Sequence, residues 1–132
     1  ILFHLGQAYQ RKSQWTEAQT QFEAAFRLNP RKSEVLYGLS QVSGKLDQRA
    51  EAREYSRRFK AVSQFEQERD VLMKKLWGKP NSIELRKDLA ALLEVNGALS
   101  EAMEQLRQAA YLGDESAVEE LERLDKLMFR EK

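Results

Sequence analysis

Apolar side chains recur along this chain in steps of three and four, the period of a helix that buries one stripe. Leu2, Leu5, Gly6 and Tyr9 share one face, and after a polar break Ala18, Phe22 and Ala25 share a second. Asn29-Pro30 ends this pair, because proline lacks an amide donor and biases the residue before it away from helix. Leu36, Leu39 and Val42, with Gly38 and Gly44 nearby, predict the next helix. Its partner follows an expected N-cap at Asp47 and carries Ala52, Tyr55 and Phe59.

No proline or glycine then interrupts the chain before Gly78, while Val62, Phe65, Leu72, Met73 and Leu76 extend the stripe. The pattern predicts one long helix from about Gln48 to Trp77, roughly 45 Å in length, stopped by Gly78-Lys79-Pro80. The alternative is a bend near Ser63-Gln64, the weakest helix formers midway. Trp77 is expected to cover the bend that follows. A further helix, capped by Asn81 or Ser82, carries Leu85, Leu89, Leu92 and Leu93 and ends at Asn96-Gly97. Ser100 precedes its partner, with Ala102, Leu106, Ala109 and Ala110, which Gly113 closes. Asp114 is the expected cap of a last helix, with Val118, Leu121, Leu124 and Leu127 facing inward and acidic residues outside.

The pairs repeat. Glu17-Ala18-Gln19-Thr20-Gln21-Phe22 has an echo 34 residues on, at Glu51-Ala52-Arg53-Glu54-Tyr55-Ser56, and another at Glu101-Ala102-Met103-Glu104-Gln105-Leu106. The first pair, Leu5-Gly6-x-x-Tyr9 then Ala18-x-x-x-Phe22, Ala25 and Pro30, resembles the tetratricopeptide repeat. It departs at Leu2, where the family often has tryptophan. Gly6 costs a helix about 1 kcal/mol relative to alanine, a cost usually offset where two backbones must approach closely. The resemblance is strong in the first pair, weaker in the third and weakest in the second. The expected fold is all-α: an α–α superhelix of three pairs (about 1–30, 33–77 and 82–113), one helix elongated, with a capping helix over 115–130. The whole chain, 1–132, is read as one domain.

Composition narrows the function. The chain has no cysteine, which removes disulfides, thiolate metal sites and cysteine nucleophiles, and it leaves the compartment open. No apolar run approaches the ~20 residues that cross a bilayer, so membrane insertion is not expected. The chain starts at Ile1 within an amphipathic pattern, which reads as a segment of a longer protein. Charge is graded: residues 1–60 carry 11 basic and 6 acidic side chains, residues 101–132 carry 5 and 9. That gradient is not the basic track of a nucleic-acid binder, and stacking aromatics do not recur in each unit, so nucleic acid is not expected as a partner.

The resemblance implies that the first helix of each pair lines a concave face where a peptide or protein partner lies. The candidate positions are Phe3, Gln7, Gln10 and Arg11, then Glu34, Tyr37, Gln41 and Lys45, then Lys87, Ala91 and Glu94. Phe3 and Tyr37, 34 residues apart, either anchor a ligand or fill gaps against neighbouring units. One subclass of the family grips a C-terminal carboxylate of chaperones through a lysine and an asparagine beside the Leu-Gly pair. Phe3 and Gln7 stand at those places here, so that clamp is not expected.

Catalysis and cofactors are not expected. His4 is the one histidine and has no ligand cluster around it. Phosphate-loop, nucleophile-elbow and zinc-helix motifs are absent. Glu115 and Glu119 read as a solvated face. Arg49, Arg53 and Arg57, spaced by four, form a basic stripe that suits either solvent or an acidic partner, including the terminal helix of another copy. Trp15 reads as structural. The function expected is a non-catalytic protein-interaction scaffold, with self-assembly of the parent protein as the alternative.

Overall fold

The computed structural model describes residues 1–130. Over that range the chain forms seven helices: α1 (Leu2–Arg11), α2 (Trp15–Leu28), α3 (Ser33–Lys45), α4 (Arg49–Gly78), α5 (Ile83–Val95), α6 (Leu99–Tyr111) and α7 (Glu115–Arg130). The elongated helix is present as α4, without a break at Ser63-Gln64. Contacts gather the chain into two compact units, Ile1–Gln64 and Phe65–Lys132, so α4 contributes to both.

In unit 1 the buried core is Ala18 and Phe22 of α2 with Val35, Leu39 and Val42 of α3, flanked by Phe3, Tyr9, Trp15, Ala25, Phe26, Leu46 and Tyr55. The helices nest because α1 and α3 each set a glycine, Gly6 and Gly38, against the Phe22 ring. A Cβ placed on Gly6 would lie 2.5 Å from the Phe22 ring, and one on Gly38 would lie 2.9 Å from it. Gln19 of α2 ties the next hairpin in place by donating to Gln48 Oε1 at 2.6 Å, beside the fully buried Ser43.

In unit 2, Leu89, Ala90 and Leu93 of α5 pack with Ala102, Met103, Leu106 and Ala109 of α6 and with Leu76 of α4. Ala117 and Leu124 of α7 complete this core with no exposed surface. The Ser82 hydroxyl accepts from the Leu85 amide and caps α5.

Four of the six turns between these helices share one geometry. Ser13, Asp47, Gly97 and Gly113 all have positive φ, at 59°, 60°, 79° and 108°. After each, the next amide reaches back five residues: Gln14 to Tyr9, Gln48 to Ser43, Ala98 to Leu93 and Asp114 to Ala109. This is the Schellman closure, in which a left-handed residue satisfies the last carbonyls of a helix. Ser13 and Asp47 stand 34 residues apart, so the repeat shows in the backbone as well as in the side chains.

Four local expectations are corrected. Asp47 closes α3 from the left-handed region and does not cap α4, which begins at Arg49. Ser100 lies inside the first turn of α6 rather than before it. Trp77 is 90% exposed and covers nothing. The inner face of α7 is Ala117, Leu121, Leu124 and Met128, while Val118 and Leu127 are exposed. Three successive steps of three residues, as from 118 to 127, rotate to the opposite side of a helix with about 3.6 residues per turn, whereas alternating steps of four and three stay on one side.

Candidate functional site

Within unit 1 a cavity of about 330 Å³ opens between α1 and α3. The fully buried ring of Phe22 lies at its floor, next to Gly38, and Phe3, Tyr37 and Phe59 add aromatic surface. Phe3 lies 5.9 Å from Phe22, and Tyr37 lies 5.3 Å from Phe59, measured between ring centres. Tyr37 is therefore packed on one side and half-exposed on the other. Gln7, Gln10, Ser33, Glu34 and Gln41 form the polar rim.

The rim is wired in one direction. Gln10 donates its amide to Gln41 Oε1 at 3.1 Å, and Gln41 in turn donates to the Tyr37 hydroxyl at 3.1 Å. A hydroxyl that accepts still has its own proton to give. Tyr37 thus lines the cavity at the end of a short relay with a hydroxyl proton still to give. At the opposite end, Lys32 sits 3.9 Å from Glu34 and 5.2 Å from the Phe3 ring centre.

Of the residues proposed from the pattern, Phe3, Gln7, Gln10, Glu34, Tyr37 and Gln41 line this one cavity. Arg11 is exposed on α1 and does not line it. Lys45 lies over the Trp15 ring at 5.6 Å, away from the cavity lining. Lys87 belongs to unit 2, where it donates to Ser116 at 2.8 Å and pairs with Asp114 at 3.2 Å. Glu94, two turns along α5, pairs with Arg123 of α7 at 2.8 Å. These contacts link α7 to α5 with the two helices running in the same direction, so Lys87 and Glu94 both face α7. Asp114 is kept below the usual carboxylate range chiefly by the Ser116 hydroxyl, with Lys87 and the Ala117 amide adding to it. The Ala117 contact is the helix cap expected of this residue.

Phe59, Ser33, Gly38 and Phe22 line the cavity without having been proposed as site residues. Phe22 and Phe59 read as core positions on their own stripes. Only the approach of a neighbouring helix turns one edge of each toward the opening.

The basic stripe of α4 is largely satisfied from within. Glu54 bonds Arg57 at 2.6 Å and Arg58 at 2.9 Å, and Arg49 bonds Asp47 at 3.2 Å. These two arginine bonds hold the Glu54 carboxyl down to about 2. Among the described residues, no group of three or more acidic or histidine side chains is placed to hold a metal ion. None of the described helices is long and apolar enough to cross a membrane.

Helices joined by a recurring turn, with Gly6 and Gly38 close against the Phe22 ring, give the described residues an all-α helical-repeat fold. No family model matches the chain, and no curated protein matches it. Solved structures do. The first tetratricopeptide domain of Spaghetti (RPAP3), bound to an HSP90 peptide, is 14% identical, with 96% of this chain and 90% of that one covered and a TM-score of 0.46. The type III secretion translocator chaperone SycD of Yersinia enterocolitica is 17% identical, with 98% and 79% covered and a TM-score of 0.45. A tetratricopeptide protein of Thermus thermophilus is 21% identical, with 96% and 81% covered and a TM-score of 0.45.

Proposed function

We propose that the chain is a non-catalytic interaction scaffold and that the cavity between α1 and α3 receives an extended segment of a protein partner. The observation that carries this reading is the gathering of Phe3, Gln7, Gln10, Glu34, Tyr37 and Gln41 around one aromatic-floored opening. Binding sites join an apolar body to a few placed polar groups, and here the relay through Gln41 supplies those groups. Because α1 and α3 are the first helices of their pairs, the opening corresponds to the concave face in tetratricopeptide arrays.

Selection of a random-peptide library on the 132-residue chain, followed by NMR mapping of the selected peptides, tests this reading. Shifts concentrated at Gly6, Tyr37, Gly38 and Gln41 are expected. Peptides that map elsewhere would remove the cavity as the binding site.

A second reading, assembly with another copy, is favoured by Val71, Met73 and Trp77, apolar side chains of α4 that are each more than half exposed. Sedimentation across a concentration series separates the two, because a species that stays monomeric at high concentration excludes assembly.

A further inference from the structure

We infer that the unit 1 cavity selects a segment in which an apolar side chain stands next to a lysine or arginine, and that it disfavours a segment carrying a carboxylate. This rests on the reading of that cavity as a peptide site and adds the chemistry of the occupant. Three observations carry it.

The floor is apolar and recessed. Phe22 is fully buried beneath it, and the aromatic surface open to an occupant is that of Phe3, Tyr37 and Phe59. A volume of about 330 Å³ has room for one branched aliphatic side chain between Phe3, Tyr37 and Phe59. Filling it removes aromatic surface from water, the main source of favourable free energy at such sites.

The rim carries a single charged side chain. Among the residues lining the cavity Glu34 is the one acidic or basic residue, and its side chain is 61% exposed. Lys32 meets it at 3.9 Å, the limit of an ion pair, while its ammonium also lies over the Phe3 ring. Glu34 therefore keeps most of its capacity to accept from a ligand cation. A ligand carboxylate in the same place would be repelled.

The Tyr37 hydroxyl accepts from Gln41 and keeps its own proton to give, and Tyr37 lines the opening. A backbone carbonyl of the occupant is the natural acceptor. That bond fixes the segment along α3, with its apolar side chain over Phe22 and the next residue toward Glu34, one turn back along the same helix.

The test is an NMR titration of the isotopically labelled 132-residue chain with three hexapeptides, each acetylated and amidated to remove terminal charges. Their sequences are Gly-Gly-Leu-Lys-Gly-Gly, Gly-Gly-Leu-Glu-Gly-Gly and Gly-Gly-Gly-Lys-Gly-Gly. The Leu-Lys peptide is expected to shift Gly6, Tyr37, Gly38 and Gln41 and to bind about fivefold more tightly than the Leu-Glu peptide, the scale of one exposed ion pair. The Gly-Lys peptide should bind weakest, since it leaves the floor uncovered. Glu34→Gln should abolish the preference, and Glu34→Lys should reverse it. Equal binding of the Leu-Lys and Leu-Glu peptides, or an order unchanged in Glu34→Lys, would overturn the charge rule and leave the cavity as a peptide site. Binding of any of them away from these residues would overturn both.

Discussion

The ring of Phe22 occupies the space that a side chain at Gly6 would need. A Cβ there would lie 2.5 Å from one ring carbon and 2.6 Å from the next, closer than real contacts allow. Phe22 has no exposed surface and Gly38 closes on its other side, so the ring could yield only by leaving its place between the two glycines for the cavity. Gly6→Ala should therefore destabilise unit 1 by about 1–3 kcal/mol, the usual cost of overpacking, although alanine favours helix by about 1 kcal/mol. Gly44 is the control. A Cβ there meets nothing within 4 Å, so Gly44→Ala should stabilise by about 0.5–1 kcal/mol. Urea denaturation of the two variants should move in opposite directions. A Gly6→Ala protein as stable as its parent would show that the ring can yield.

The recurrent turn predicts a stabilising change. Ser13 holds φ at 59°, a conformation that costs an L-residue about 1–2 kcal/mol. Gly97 and Gly113 fill the same role without that cost. Ser13→Gly should raise stability by about 0.5–1 kcal/mol after the added chain entropy of glycine is subtracted, whereas Ser13→Val should lower it. Denaturant midpoints of the two variants check the sign.

Packing, and not ion pairing, is expected to hold α7. Arg123 bridges Glu94 and Glu120, but the arginine side chain is 46% exposed, so Arg123→Ala should cost no more than about 1 kcal/mol. Leu124 is fully buried, and Leu124→Ala should cost about 2–5 kcal/mol. Hydrogen exchange of the α7 amides should rise sharply in the second variant and little in the first. The reverse order would mean that the polar contacts dominate.

Glu54 supplies a pH signature. Its carboxyl is lowered from 4.5 to about 2 by Arg57 and Arg58. A depressed carboxyl contributes stability that is fully present above its unfolded value and is lost as pH falls through the folded one. The window is therefore between about 4.5 and 2. The Glu54 side chain is 44% exposed, so salt should weaken the effect. Carbon-13 titration of Glu54 should give a midpoint near the lower value, and replacing both arginines with alanine should move it up toward 4.5. A midpoint already near 4.5 in the parent would mean that the two bonds do not persist in solution.

Periodicity and punctuation determined most of the architecture. Seven helices, the continuous α4 and the Ser82 cap follow from steps of three and four, from Pro30, Gly78 and Pro80, and from cap chemistry, because helix formation and termination are decided within a few residues. That Gly6 marks a close approach was legible from its place in the pattern, whereas the Phe22 ring as the group that meets it was not. Most of the cavity rim was legible as well, since the equivalent faces of α1 and α3 recur through the repeat.

Tertiary structure alone decided which half-apolar surfaces were closed. Periodicity shows which residues share a face, but not which neighbouring helix covers it. Phe59 reads as core and yet lines an opening, Trp77 reads as a cover and yet is exposed, and Lys87 reads as a site residue and yet pairs with the start of α7. Each depends on partners many positions away in sequence. Local pattern holds no information about where such a partner comes to rest, and the packing of whole helices settles it.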